Sequence, residues 1–313
     1  MTMMRIRIAL FAAAFASLAA LASAQPRMNV VKLAEGVWAA EIDGGANVGW
    51  FLASDGVVVV DSGNDAATAK AVLEKISETT GKPVRYLVLT HAHGDHAGGI
   101  PTFAAAGARI LCQENAAPAA ATLLKAPAGK TSEGVIAISD RMVFFGGARR
   151  AAVYFLGAGH TNGDLVVLLP EEKVLFAGDL VSSNKLPYLQ SPDADTRGWE
   201  QILVRLAALD VAKVVPGHGA VGERQAIGDT LAYVRKVNQV ATEFIRTSVP
   251  DALYETKLRE PENSIENVVV EPHHVANVRA AVKLERARLE KQEQKLNPTP
   301  TPAPTKPAPR GKS

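Results

Sequence analysis

The chain is almost without cysteine: Cys112 is the only one in 313 residues. An intrachain disulfide is therefore excluded, and an ordinary hydrophobic core must hold the fold. A dominant charge is missing as well. The 34 basic residues exceed the 32 acidic ones by only two, and Arg5 and Arg7, in an N-terminal segment that reads as a leader, account for that excess. Lys306, Arg310 and Lys312 lie in a C-terminal stretch without acids, which leaves the body between slightly acidic. Such a balance argues against nucleic acid as a partner and gives no attraction to an acidic membrane surface. The N-terminal apolar run, 8–22, is short for a membrane span.

What is there begins with that leader. "MTMMRIRIALFAAAFASLAALASA" (1–24) combines early arginines, an apolar stretch and small residues at Ala22 and Ala24. This is the pattern of a secretory signal peptide cleaved after Ala24, so export to the periplasm or beyond is expected, with no membrane attachment afterwards. The residue directly after the cleavage point is Gln25 and not a cysteine that could carry a lipid. At the other end, the Pro-rich residues 297–313 cannot bury a core and are expected to be extended or disordered. Residues 25–296 suffice for one sizeable domain or two fused halves, with a mainly helical extension from about residue 223.

Inside the body, short apolar runs alternate with helical patterns. "GVWAAEI" (36–42) and "NVGWFLA" (47–53) flank the turn "DGGA", a hairpin signal. "GVVVVDSG" (56–63) reads as a buried strand ending at Asp61, and "VRYLVLT" (84–90) as another. The amphipathic helix "DAATAKAVLEKISETTG" between them stops at Gly81. Further strands are expected in "ARRAAVYFLGAGH", "GDLVVLLP", "KVLFAGD" and "AKVVPGHG", with a helix over "RGWEQILVRLAALD". The mixed charges of "NVRAAVKLERARLEKQEQKL" suggest a solvated helix with salt-bridging pairs. The fold class is α/β.

The chemistry lies in "LTHAHGDHAGG" (89–99). His91 and His93 are two apart and project to one side of an extended segment. A turn lets Asp95 and His96 reach inward, and Gly98 and Gly99 allow close backbone approach. Three imidazoles and a carboxylate make a poor core and a good cage for a borderline divalent cation. Two more of the seven histidines, His160 in "GAGHTNGD" and His218 in "VPGHG", also follow apolar strands, as does Asp179 in "LFAGDL". Ligands in sheets flanked by helices gather beyond strand ends, so this placement is informative.

With Asp61, "HAHGDH", His160, Asp179 and His218 in this order, the chain resembles the metallo-β-lactamase-fold hydrolases, in their exported, β-lactamase-like branch. The resemblance implies an αββα sandwich with a metal site at one edge. It also implies that His91, His93 and His160 hold one metal and that Asp95, His96 and His218 hold a second, with Asp179 between the two. The implied cofactor is a pair of zinc ions, iron and manganese being suited to the same donors. The implied reaction is attack of a metal-bridging hydroxide on the carbonyl of a small-molecule lactam, amide or ester. Asp95 is then a candidate proton acceptor, and Asp61 a supporting carboxylate that orients ligands.

Departures from the family pattern bear on substrate. An aspartate at 179, where some β-lactamases carry cysteine, is similar to glyoxalase II-type thioesterases. Ser182 stands where a substrate-gripping lysine is usual, leaving Lys185 or Arg197 as replacements. A mononuclear iron sulfur dioxygenase and a metal-free binding protein are further alternatives, each disfavoured by the complete set of seven ligands. The loop 181–195 is expected to rim the pocket, with Asn184, Lys185 and Tyr188 as substrate contacts. The hairpin 43–50 is a candidate flap. His273 and His274 read most simply as a helix start, and Cys112 as a buried apolar residue. Oligomeric state is not legible.

Overall fold

The computed structural model describes residues 26–125, 134–146, 149–265 and 267–296. The leader and the Pro-rich tail lie outside the described residues. The chain opens with four antiparallel strands: β1 (Met28–Ala34), β2 (Val37–Ile42), β3 (Val48–Leu52) and β4 (Val57–Val60). Helix α1 (Ala66–Thr80) then returns the chain to β5 (Val84–Val88), parallel to β4. Two short helices, α2 (Gly94–Ala97) and α3 (Ile100–Ala105), lead to β6 (Arg109–Gln113), and α4 (Ala117–Leu123) leads to β7 (Val135–Ile138). These seven strands form one sheet in sequence order.

The second sheet takes β8 (Arg141–Gly146), β9 (Arg149–Phe155), β10 (Leu165–Leu169), β11 (Val174–Ser182) and β12 (Lys213–His218). Its order is β12-β11-β10-β9-β8, antiparallel except for the β11–β12 pair, which is parallel because α5 (Thr196–Ala207) crosses between them. Three more helices follow: α6 (Gln225–Arg246), α7 (Tyr254–Leu258) and α8 (Pro272–Leu296).

Side-chain alternation along the strands sorts the core into three layers. Val58 and Val60 of β4 meet Val174 and Phe176 of β11 between the sheets. Val57 and Val59 point the other way, to Ala69, Val72 and Ile76 of α1 and to Phe103 of α3. Leu175 and Ala177 face outward to Trp199 and Leu203 of α5 and to Val234 and Val237 of α6. The result is the expected αββα sandwich. The contact between sheets is close: Gly49 lies over the Phe176 ring, where any Cβ would collide with the ring carbons. Helix α1 is closed at both ends, by Asp65 accepting from the Thr68 N–H at 2.8 Å and by Gly81 at φ 61.

Two differences from the sequence reading have physical causes. Strands β1, β7 and β8 are runs without strong turn signals at both ends, and they find their places only by pairing. Helix α8 is the solvated helix its charges suggest only from Arg286 onward. His274, Val275, Asn277, Val278, Ala281, Val282 and Glu285 form a buried stripe against the core, and the mixed charge belongs to its other face.

Candidate metal centre

The loops that follow β4 and β5 are locked together before any ligand is placed. The Asp61 N–H donates to the Val88 carbonyl at 2.9 Å, and Ser62 donates to the His96 carbonyl from its N–H at 2.7 Å and from Oγ at 2.8 Å. Gly99 packs against the Ser62 carbonyl, where a side chain would not fit. Asp61 itself takes φ 65, an uncommon region for a residue with a side chain. Its carboxylate holds it there by accepting from the Thr90 N–H at 2.7 Å, the Thr90 hydroxyl at 2.8 Å and His96 Nδ1 at 2.8 Å.

From this frame all seven residues singled out in the sequence converge. Ligand-type atoms of His91, His93, His160 and Asp179 lie within 4.8 Å of one another, and those of Asp95, His96 and His218 form a second group on the same criterion. Asp179, inside β11, faces both: Oδ2 is 3.4 Å from His160 Nε2, and Oδ1 is 3.1 Å from His96 Nε2 and 3.5 Å from His218 Nε2. Asp95 Oδ2 is 3.1 Å from His218 Nε2.

Each of the five imidazoles has one nitrogen engaged away from the centre. His91 Nδ1 lies 3.2 Å from Thr90 Oγ1, whose own proton goes to Asp61. His93 Nε2 lies 3.4 Å from Ser191 Oγ, which donates to Asp193 at 2.7 Å. His96 Nδ1 meets Asp61, His160 Nδ1 meets the Tyr188 carbonyl at 2.9 Å, and His218 Nδ1 meets the Gly45 carbonyl at 3.1 Å. When each ring is neutral and donates its N–H outward, all five inward nitrogens present lone pairs to the centre. His91 Nε2 and His160 Nε2 then each stand 3.0 Å from His93 Nδ1 with no proton to share. His96 Nε2 and Asp179 Oδ1 are buried without a hydrogen-bond partner. Unpaired inward-facing donors of this kind are costly to bury alone and fit a divalent cation.

Electrostatics follow from the same packing. Burial pushes the His91 cation well out of favour and brings His160 down to about 4, so both rings are neutral as ligands must be. Burial alone would lower His96 too, but the Asp179 and Asp61 carboxylates outweigh it and hold His96 well above its ordinary value. To become a ligand, His96 must give up that proton. Burial opposes the Asp179 charge, and His96, His160 and His91 outweigh it, keeping that carboxyl well below the usual range.

The other residues named in the sequence take different places. The Tyr188 ring is 6.2 Å from that of His160, and Lys185 lines a groove of about 490 Å³ with Asn47, Asp43, Arg27 and Gly219. Asn47 joins that groove to the centre by donating Nδ2 to the carbonyls of Pro216 and Gly219, next to His218. Asn184 is exposed and takes φ 56, which asparagine tolerates in a turn. Arg197 points elsewhere, to Glu285 at 3.2 Å and Thr242, so it does not supply the missing cationic grip. His273 and His274 do begin a helix, and Cys112 is buried.

Sequence reasoning missed the residues behind the ligands. Thr90 and Ser191 each receive an imidazole, and Asp164 accepts from the Thr161 N–H and hydroxyl, at 2.9 and 2.6 Å, shaping the turn that carries His160. Burial raises the Asp164 carboxyl to about 7. Its position inside "GHTNGD" was the available signal.

Comparison with known proteins agrees with this geometry. Residues 42–218 match the sequence model of the Metallo-beta-lactamase superfamily. A protein of Bacillus cereus named metallo-beta-lactamase type 2 is 31% identical over 183 residues, covering 57% of this chain and 68% of its own. Its namesake from Elizabethkingia meningoseptica is 30% identical over 199 residues, covering 62% and 77%. Among solved structures, a metallo-beta-lactamase from Pontibacter korlensis superposes with a TM-score of 0.57 at 28% identity, covering 67% of this chain and 99% of that one.

Proposed function

Because the chain belongs to the metallo-beta-lactamase superfamily of metal-dependent hydrolases, we propose that it is an exported dinuclear zinc enzyme cleaving a lactam, amide or ester. The observation that carries this reading is the inward set of five imidazole nitrogens around a carboxylate that faces both ligand groups. His91, His93 and His160 would hold one ion, Asp95, His96 and His218 the other, and Asp179 would serve both. Bound ions of this kind lower the pKa of water from about 16 toward about 7 and polarise a carbonyl oxygen.

The chain's own groups do the rest. Thr90, Asp61, Ser191 and the carbonyls of Tyr188 and Gly45 fix the ring orientations, so no reorganisation is needed when substrate arrives. Among the three site aspartates Asp95 is the most open, its side chain 41% exposed against 10% for Asp179 and 3% for Asp61. It is the group placed to exchange a proton with solvent. The groove beside His218 and the Tyr188 ring would receive the substrate, with Lys185 as the nearby cation for an acidic group on it. The leader would deliver the enzyme to an exported compartment, with residues 25–296 as its working body.

The named relatives support β-lactam hydrolysis as an activity to test first. Asp179, in place of a cysteine, favours thioesters as the second class. A panel of cephalosporin, penicillin, lactone, ester and thioester substrates, each run with and without a chelator, decides between them. Chelator-sensitive turnover of any member supports the hydrolase reading. Chelator-resistant turnover, or one iron per chain and no hydrolysis, contradicts it.

A further inference from the structure

Asn277 is a polar residue on an apolar stripe. It lies between Val275 and Val278 on the buried face of α8 and is itself wholly inaccessible. A buried amide is costly unless its donors and acceptor are all used. Here they are. Nδ2 donates to the Pro187 carbonyl at 2.8 Å and to the Tyr233 hydroxyl at 2.9 Å, while Oδ1 accepts from the Leu189 N–H at 3.1 Å and from Gln190 Nε2 at 3.3 Å.

Three of these four bonds grip the chain on either side of Tyr188. The Tyr233 hydroxyl keeps its own hydrogen for His274 Nδ1, 3.0 Å away, and His273 Nε2 reaches the same Pro187 carbonyl at 3.2 Å. Between the gripped residues, the Tyr188 carbonyl receives His160 Nδ1 at 2.9 Å. A short segment pinned before and after cannot turn its middle carbonyl without breaking a buried bond. That carbonyl fixes which nitrogen of His160 is protonated and which faces the centre. The helix bearing Asn277 is anchored in turn: Glu285, two turns on, pairs with Arg197 of α5 and with Arg288.

We infer that Asn277 is a positioning residue for the metal centre: it locks the segment 187–189 so that the Tyr188 carbonyl aims His160. The inference rests on the proposed role of His160 as a ligand. It makes α8, which lies beyond the matched segment 42–218, part of the build of the site. The same grip sets the rim, since the half-exposed Tyr188 ring stands 6.2 Å from those of both His160 and His273.

The test uses the full-length mature chain, titrated with zinc against a chromophoric chelator and, separately, with cobalt(II) while its absorption spectrum is followed. Asn277→Asp keeps the volume and the acceptor but loses both N–H donors. Asn277→Ala loses everything. His273→Ala, at a partly exposed position, removes the second bond to Pro187 and the ring beside Tyr188 while leaving the Asn277 bonds in place. Val278→Ala is the control, cutting apolar packing one residue along the same helix.

Expected are zinc affinities about tenfold weaker for both Asn277 variants and about threefold weaker for His273→Ala, with an altered cobalt spectrum. Val278→Ala should lower the melting temperature and leave affinity and spectrum unchanged. If Asn277→Ala fails to fold, Asn277→Asp and His273→Ala decide. Asn277 and His273 variants that bind zinc as the wild type does, whatever their melting temperatures, overturn the inference alone. A wild-type chain that binds no metal overturns the functional reading and this inference with it.

Discussion

Asp61 Oδ2 lies 2.8 Å from His96 Nδ1, while the other ring nitrogen, Nε2, faces Asp179. One carboxylate thus sets the protonation and direction of an imidazole that another carboxylate meets at the centre. Asp61→Asn tests that arrangement without backbone strain, because asparagine tolerates the positive φ at this position. The second metal should bind about 10–100-fold more weakly. A titration showing two unchanged affinities would contradict the orienting role.

His93 stands at the mouth of the cluster, only partly buried, with Nδ1 3.0 Å from two other ring nitrogens. His93→Ala should cut turnover by more than about 100-fold, beyond what loss of a merely supporting contact costs. The metal-free variant should melt no lower than metal-free wild type, since the substitution relieves a crowded set of lone pairs. Circular dichroism melts of both chelated proteins, together with turnover, check this. Retained activity would remove His93 from the ligand set.

Acid should weaken the hold of α8 on the rest of the fold. Bonds from Arg288, with further help from Arg197, bring the Glu285 carboxyl down to about 2 from its ordinary 4.5. The folded value lies below the unfolded one, so the stabilisation is fully present above pH 4.5 and is lost as pH falls toward 2. Both arginines are partly exposed, which screens the interaction to about 1–2 kcal/mol. Glu285→Gln should therefore be less stable at pH 7, and its stability should fall less steeply between pH 4.5 and 2. Parallel wild-type and variant curves over that interval would exclude Glu285 as the acid-sensitive group.

Much of the centre was legible because ligand chemistry needs particular residue types at particular strand ends. Histidine two residues from histidine, an aspartate closing a valine run, and a histidine after "VPG" are local signals, and local signals survive in sequence. The supporting acceptors at Tyr188 and Gly45 were not legible, since a backbone carbonyl has no residue code. Thr90 could be read only as the last residue of a strand. Asn277 meets Leu189 across 88 positions, and no periodicity predicts such a pair. Still, a polar residue between Val275 and Val278 was a signal available in the sequence. The mixed charge of α8 hid its apolar stripe for the same reason: composition averages over faces that packing separates.

The most direct test of the whole account is the metal content of the purified chain, read beside that of Asp179→Ala. Two zinc ions per wild-type chain and a marked loss in the variant, with hydrolysis lost in step, are what the proposed function predicts. A wild type that stays metal-free after dialysis against zinc, or an Asp179→Ala chain that still holds two ions and full activity, would contradict it.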